Sequence, residues 1–531
     1  MKPLKVIDLF AGPGGLGEGF SAHRDKNGHQ TFKIAMSIEK DPSAHRTLLL
    51  RALFRQYPDG EAPEAYYAFL RGELGSSPEE QLYQLPELQD ELDLARHEAQ
   101  AIELGVTDKR EVNKKVRTAL AGEDFVLIGG PPCQAYSLVG RARNVGDKSR
   151  TYNPDEDHRN FLYKEYLEII AKFQPSIFVM ENVKGMLSAK TSEGPVFPRI
   201  RKDLADPCKS TGLTPDKGRK RGKYKILSFV VGAQGDLLEQ LDADKLDARD
   251  FIIRAEEFGI PQARHRVILM GVRAELAKGP IATLIPNKFQ TTVDSVISDL
   301  PALRSGISKG LDDPNVWKKV PAQTAKKLHR FKSQIPGGVA NAIFNGSHDM
   351  GSTSSRGSEF GMRTTYKGMS DLFRQWFVDR RMSGRITNHS TRAHIIEDLA
   401  RYWFAANYRA VENRSPKAMD FPKPLWPEHA NFSSGKFVDR FRVQGWGSPA
   451  STITSHISKD GHYFIHPDPK QMRSLTVREA ARVQTFPDNY HFVGTRTEQY
   501  VQVGNAVPPF LARQLAWGVF EVLDANKNSN Q

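Results

Sequence analysis

Four side chains stand where polar groups are rare, each at the end of an apolar run or leading into one: Cys133, Glu181, Arg264 and Arg266. Cys133 follows Phe125-Val126-Leu127-Ile128-Gly129-Gly130-Pro131-Pro132 and precedes Gln134-Ala135-Tyr136-Ser137. A buried strand that stops at Gly-Gly-Pro-Pro stiffens the backbone ahead of the thiol. That places Cys133 at the carboxyl end of a strand, where open α/β sheets hold their ligands. A lone cysteine is more often inert core than nucleophile, but the proline and polar flanks argue against burial. A thiolate there could add to an electron-poor centre and split one hard step into two easier ones. Glu181 ends the run Ser176–Met180, and a carboxylate at that depth needs a partner or a task. Gln262-Ala263-Arg264-His265-Arg266 leads into the run Val267–Val272. Residues two apart in an extended chain share a face, so Arg264 and Arg266 are expected to project together.

A second constellation sits at the start of the chain. Val6-Ile7-Asp8-Leu9-Phe10-Ala11-Gly12-Pro13-Gly14-Gly15-Leu16-Gly17 reads as a strand turning sharply into a helix. Glycines there let a ligand approach the backbone and leave helix-start N–H groups facing it. Glu39 closes the next strand, where an acid would hold ribose hydroxyls. Taken alone, the turn also fits a dinucleotide dehydrogenase or a tight structural bend. Its Asp-Leu-Phe-Ala-Gly wording differs from the usual G-x-G-x-x-G.

These residues need a scaffold that gathers strand ends. Strand candidates are Leu4–Phe10, Lys33–Ile38, Phe125–Ile128, Ser176–Met180, Tyr224–Val231 and Val267–Val272, alternating with helical patterns as in a parallel α/β sheet. Phe161, Leu162, Tyr166, Ile169, Ile170 and Phe173 fall at helical spacing. A catalytic domain over residues 1–275 is expected, with a helical insertion at about 43–122 and a basic one at about 188–223. The latter reads equally as a solvated loop or as a phosphate-contacting arm. Residues 276–460, rich in Gly, Pro, Ser, Trp and basic side chains, read as a smaller irregular domain. Residues 461–531 return to complete both and end in a helix over Pro509–Leu523.

Composition narrows the classes. Among 531 residues, 39% are hydrophobic, enough for a packed core and too many for a disordered chain. Lys and Arg number 75 against 62 Asp and Glu, a net charge of +13 that attracts polyanions, nucleic acid first. Two cysteines, Cys133 and Cys208, rule out a disulfide framework and point to a reducing compartment. No apolar run reaches the roughly 18–20 residues of a membrane span, and no leader is expected at Met1-Lys2-Pro3. His456, His462, His466 and Asp460 match no closed zinc spacing, so no metal is expected.

Taken in order, these segments resemble the prokaryotic DNA cytosine-C5 methyltransferases of restriction–modification type. The match continues in Arg473-Ser474-Leu475-Thr476-Val477-Arg478-Glu479-Ala480-Ala481-Arg482, similar to the family's framework helix, and in Val503-Gly504-Asn505-Ala506-Val507-Pro508, similar to its last motif. The resemblance implies a class I adenosylmethionine-dependent methyltransferase fold, a Rossmann-like sheet flanked by helices, carrying a target-recognition domain at 276–460. It implies Cys133 as nucleophile on carbon 6 of a cytosine flipped out of the duplex, Glu181 at its N3 and Arg266 at its O2, with Arg264 supporting Glu181. Asp8, Phe10, Ala11, Gly12, Gly14, Gly15, Glu39, Pro131, Asn505 and Ala506 would line the S-adenosylmethionine site, which would release S-adenosylhomocysteine. The acid that contacts adenine in the family cannot be placed. Gln134, Ser137, Arg141, Arg143 and Thr452 would touch DNA, the loop beyond Cys133 acting as a lid. Implied partners are double-stranded DNA and a separate cognate restriction endonuclease. A cytoplasmic monomer acting at the bacterial nucleoid is expected, with no membrane association. An RNA cytosine methyltransferase of the same fold and a catalytically silent DNA-binding relative are the alternatives. Seven basic residues and two acids between Arg363 and Arg392, interleaved with Tyr366, Phe373, Trp376 and Phe377, read either as a DNA-backbone surface or as a basic helix with its aromatics in the core.

Overall fold

Apolar strands that must bury both faces demand helices above and below them, and the chain supplies both layers. The computed structural model describes residues 2–58, 61–132, 162–191, 194–231, 246–277, 283–347, 353–427 and 440–528. In chain order the strands are β1 (Leu4–Leu9), β2 (Phe32–Glu39), β3 (Ala99–Ala101), β4 (Phe125–Gly129), β5 (Ile177–Val183), the short hairpin β6 (Lys190–Thr191) and β7 (Gly194–Pro195), β8 (Tyr224–Leu227), β9 (Ile252–Arg254), β10 (Gln262–Ala263) and β11 (His265–Arg273). The central sheet runs β3-β2-β1-β4-β5-β11-β8, with β9 also beside β11. The first five strands are parallel, whereas β11 is antiparallel to β5, β8 and β9. The sheet is therefore mixed and not wholly parallel as expected. Leu9, Leu127, Met180 and Leu269 face the helices Lys109–Leu120, Leu162–Phe173 and Val196–Ala205. Val6, Val126, Val179 and Ile268 face the helices Gly15–Ser21 and Pro509–Asn528 on the other side.

The stretch at 43–122 is not purely helical. It contains β3, an edge strand of three residues with no alternation to announce it, and the helices Pro42–Arg55 and Lys109–Leu120 are the crossovers on either side. Its middle part braces the later half of the chain. Tyr67 Oη donates to Asp379 Oδ2 (2.6 Å), Arg381 pairs with Glu64 (3.3 Å), and Phe69 meets both Phe360 and His491 edge-on. The basic stretch near 188–223 folds back under the sheet. Arg219 donates to the carbonyl of Glu123, just ahead of β4, while Arg117 holds Asp216 and Arg221 pairs with Asp206. These contacts lie at the amino end of β4, opposite the end that carries Gly130. Tyr224–Val231 is a strand only to Leu227, because the Ser228 hydroxyl accepts from the Val230 and Val231 N–H groups and bends the chain.

Later residues form a helical body in which Trp317, Val339, Tyr402 and Trp403 pack together. The helix Val477–Val483 belongs to a separate core with Val293, Phe373 and Phe486. Along that helix Arg478, Glu479 and Arg482 are fully buried. Arg482 Nε and Nη2 donate to Asp488 (2.8 and 2.7 Å) and Nη1 to Asp299 (2.6 Å). Glu479 takes two bonds of 2.6 Å from Arg473. Charges so deep persist only when every partner is present. Arg482→Ala would strand two buried carboxylates and is expected to cost about 3–5 kcal/mol in urea unfolding. A loss below about 1 kcal/mol, the range of an exposed pair, would contradict this.

Candidate active site

Register aligns the site. Ile38, Leu9, Gly129 and Met180 stand side by side on β2, β1, β4 and β5. The residues that follow them, Glu39, Phe10, Gly130 and Glu181, form a row across the carboxyl edge. At about 4.8 Å per strand the row is roughly 14 Å long. Three residues singled out from separate sequence motifs, Phe10, Glu39 and Glu181, thus share one row with Gly130.

At one end of the row the glycine turn leaves β1. Phe10 (φ 59°), Gly12 (φ 57°) and Gly14 (φ 99°) adopt positive φ, which only the glycines adopt without strain. Gly12 N–H donates to Glu39 Oε2 (2.7 Å), and Glu39 Oε1 accepts from the N–H groups of Lys40 (2.9 Å) and Asp41 (2.7 Å). A Cβ on Gly12 would meet nothing within 4 Å, so the turn faces open space. A Cβ on Gly15 would stand 2.2 Å from the Val507 carbonyl, so the returning segment 505–507 lies directly on the turn. Asn505 is exposed there and Ala506 buried. Asp8 is fully buried beneath the turn, and neither carboxylate oxygen has a hydrogen bond of full geometry. Burial pushes its carboxyl up to about 8, against the opposing pull of Arg55 and the Gly17 N–H.

At the other end Glu181 Oε1 lies 2.8 Å from Arg266 Nε, both side chains about 15% exposed. Because β11 is antiparallel to β5, its first residues arrive at the last residues of β5, Arg266 opposite Val183. A Cβ on Gly130 would come within 3.1 Å of Glu181 Oε2, so glycine leaves room for the carboxylate. Asn182 Nδ2 donates to the Pro131 carbonyl (3.1 Å) and pins the strand end from which Cys133 follows. Cys133 itself lies outside the described residues, as do Gln134, Ser137, Arg141 and Arg143.

Arg264 departs from expectation. The chain breaks between β10 and β11, with Arg264 N–H bonded to the Gln262 carbonyl (2.9 Å), so the two arginines do not lie in one extended run. Arg264 is buried and donates to the carbonyls of Ile453 (2.7 Å) and Gly504 (3.4 Å). Burial, with Arg266 beside it, holds its guanidinium well below the usual arginine range, and Glu181 opposes the shift. Arg266, not Arg264, grips Glu181. Thr452 Oγ1 donates to the Ala263 carbonyl (2.6 Å), tying the same strand break to the later segment.

Sequence reasoning missed Gly130 and Asn182 as supports of the carboxylate, though both flank motifs that it used. Glu103 lies two residues past Ala101, the register partner of Glu39, and pairs with Lys40 (2.9 Å). No signal marked it, because β3 has no recognisable pattern. In the basic stretch 363–392, Phe373 and Phe377 are core residues, and Trp376 Nε1 donates to the Thr485 carbonyl (2.7 Å). Arg385 donates to the Gly361 carbonyl, and Arg392 to Ile457 and Lys459. Much of that stretch is internal scaffold. His462 bonds Tyr402 Oη (2.7 Å) and His466 accepts from the Asp468 N–H (3.1 Å).

The sequence profile of the C-5 cytosine-specific DNA methylases matches residues 97–206 and 237–521. A type II methyltransferase of Bacillus paralicheniformis, M.Bpa9945I, is 32% identical over 98% of this chain and 99% of its own. The DNA (cytosine-5-)-methyltransferase M.ApeKI of Aeropyrum pernix is 25% identical over 78% of this chain and 85% of its own. In fold, the chain is similar to a putative DNA modification methyltransferase encoded within an Escherichia coli prophage (TM-score 0.50, 18% identity, 98% and 99% of the two chains).

Asp8 gives the apo site a pH signature. Unfolded, its carboxyl ionises near the usual 3.8; folded, near about 8. Its contribution to stability is therefore complete below about pH 4 and lost as pH rises through about 8. Asp8→Asn is expected to remove a slope of up to about 1.4 kcal/mol per pH unit between pH 7 and 8, measured by urea unfolding. An unchanged slope in the variant would refute the assignment.

Proposed function

The chain belongs to the C-5 cytosine-specific DNA methylase family, and from that premise we propose that Cys133, Glu181 and Arg266 methylate a cytosine turned out of duplex DNA. Membership makes the protein a DNA (cytosine-5-)-methyltransferase of class I fold that uses S-adenosylmethionine. The observation that carries the residue assignments is the row Glu39–Phe10–Gly130–Glu181, which sets the glycine turn and its acid on one edge with a carboxylate held by arginine.

The residues fit the cofactor. Asp8, buried with no hydrogen bond of full geometry, suits the cationic part of a sulfonium amino acid, and Glu39 suits ribose hydroxyls. Open space at Gly12 leaves room for the ligand. Phe10, Ala11, Gly14, Gly15, Pro131, Asn505 and Ala506 complete the wall, and Glu103 stands where an adenine contact would fall. When bound, S-adenosylmethionine supplies an electrophilic methyl group and leaves as S-adenosylhomocysteine.

Carbon 5 of cytosine is a poor nucleophile while the ring is aromatic. In this reading the Cys133 thiolate adds to carbon 6, and the electron pair released into the ring makes carbon 5 able to take the methyl group. Loss of the carbon-5 proton then expels the thiolate and restores the aromatic ring. Glu181, oriented by Arg266, faces N3 and shares a proton with it as charge develops. Arg264 acts through the backbone, fixing 453 and 504 relative to β11. Reaching carbon 5 requires base flipping, at a cost of a few kcal/mol offset by pocket contacts. Residues 276–460 supply target recognition, with Gln134, Ser137, Arg141, Arg143 and Thr452 near the DNA.

With a full-length chain, Cys133→Ala is expected to abolish tritiated methyl transfer to duplex DNA while leaving S-adenosylmethionine binding intact. Glu181→Gln is expected to lower kcat by on the order of 10²–10⁴. Duplex DNA containing 5-fluorocytosine, which has no carbon-5 proton to lose, should trap the wild-type protein in a covalent complex stable to denaturation. Full activity in Cys133→Ala, or transfer to tRNA and not to DNA, would overturn this reading.

A further inference from the structure

The strand break that carries Arg264 and Arg266 has a neighbour not used above. Ala450–Ser451 pairs in parallel with β10, Gln262 with Ala450 and Ala263 with Ser451. The loop ahead of it, residues 444–449, therefore hangs from the backbone that delivers the two arginines. Between this loop and the end of the helix Ile396–Glu412 lies a cavity of about 380 Å³. Ala263, Ala450 and Ser451 form one wall, and Arg409, Lys417 and Arg442 contribute to the other.

Its charge is unbalanced. Arg409 donates only to neutral oxygens, the Asn413 carbonyl and Ser448 Oγ (3.2 Å). It is half-buried, and burial lowers its pKa with no carboxylate opposing. Gly445 gives it space, since a Cβ there would stand 2.3 Å from its Nε. Arg442 lies 5.8 Å from the Tyr463 ring. Among the described residues no carboxylate pairs with Arg409, Arg442 or Lys417. Arg414, on the same rim, is already neutralised by Asp420 (2.7 and 3.1 Å). Partly desolvated cations without a partner are costly unless an anion completes them.

Ala263 and Arg266 are three residues apart across the strand break, which sets an upper bound of about 10 Å between them. Successive nucleotides of one strand rise about 3.4 Å each, so a strand with one base at Arg266 carries its flanking phosphates within that reach. We propose that this cavity binds a backbone phosphate of the target strand, close to the methylated cytosine, through Arg409 and Arg442. The proposal rests on the DNA-methyltransferase reading above and adds the residues that fix the strand's register beside the catalytic arginines. Ser448 and Ser451 border the same cavity, their hydroxyls donating to the Gly445 carbonyl and to Gln444 Oε1 (both 3.1 Å).

Counterion release makes the test quantitative. Each lost phosphate contact lowers the log–log salt slope of duplex binding by about 0.9. Binding of a fluorescein-labelled mixed-sequence duplex, from about 50 to about 200 mM salt, would be followed by anisotropy for wild type, Arg409→Gln, Arg442→Gln, Arg409→Lys and Arg414→Gln. Expected are a slope lower by about 0.9 in each of the first two variants, retention of the slope in Arg409→Lys, and no change in Arg414→Gln. In methylation assays the loss should appear in KM for DNA more than in kcat. Wild-type slopes in both Arg409→Gln and Arg442→Gln, with wild-type melting temperatures, would overturn the proposal. So would an equal drop in Arg414→Gln, which would mean diffuse charge and no built site. Should Arg409→Gln fail to fold, Arg442→Gln decides alone. Failure of the wild type to methylate DNA would count against the function and not against the pocket, which the binding slope reads independently.

Discussion

A single antiparallel pairing governs this molecule. Were β11 parallel to β5 like its neighbours, Arg266 would enter at the amino edge of the sheet and Glu181 would end a strand unpaired. Reversal brings the start of β11 to the end of β5 and sets a guanidinium 2.8 Å from the carboxylate. Neither group is tolerable at that depth alone, since removing one partner of a shielded pair costs several kcal/mol. Gly130 completes the arrangement by leaving the carboxylate's second oxygen unobstructed. The chemistry at the carboxyl edge thus depends on topology before it depends on residue type.

A second constraint is the chain's return. The last motif packs on the first so closely that Gly15 admits no side chain against Val507. Arg264 joins the same return from the other side through Ile453 and Gly504, and Gln262 Nε2 bonds Gln484 Oε1 (2.8 Å). Glycine turn, the β10–β11 segment and the helix Val477–Val483 are therefore one mechanical unit, assembled from residues hundreds of positions apart. The buried charges of the helix Val477–Val483 extend that unit to Asp299. Residues after β11 are tied to the sheet in this way, and the helices between β2 and β3 add a further tie through Tyr67 and Asp379.

What could be read from the sequence was whatever local chemistry dictates. Apolar runs, ended by a glycine turn after β1, by Gly-Gly-Pro-Pro after β4 and by an acid in β2 and β5, gave strands β1, β2, β4, β5 and β11, and the residues flanking such runs gave the candidate site. What could not be read depends on partners distant in sequence. The period-two rule put Arg264 and Arg266 on one face because it assumes an unbroken strand, and the break at Arg264 gave them different partners. β3 escaped notice because three residues carry no period, and with it went Glu103. Basic stretches were ambiguous for a different reason. A sequence records charge but not whether a carbonyl, a carboxylate or solvent receives it, and in 363–392 and near 219 the protein's own backbone takes much of it.

The central claim is that this edge methylates carbon 5 of cytosine in DNA, and the most direct measurement is nucleoside mass spectrometry with bisulfite sequencing of plasmid DNA from a host expressing the chain. The account predicts 5-methyldeoxycytidine confined to one recurring sequence. Unmodified cytosine throughout, or methylation found only on exocyclic nitrogen, would contradict it.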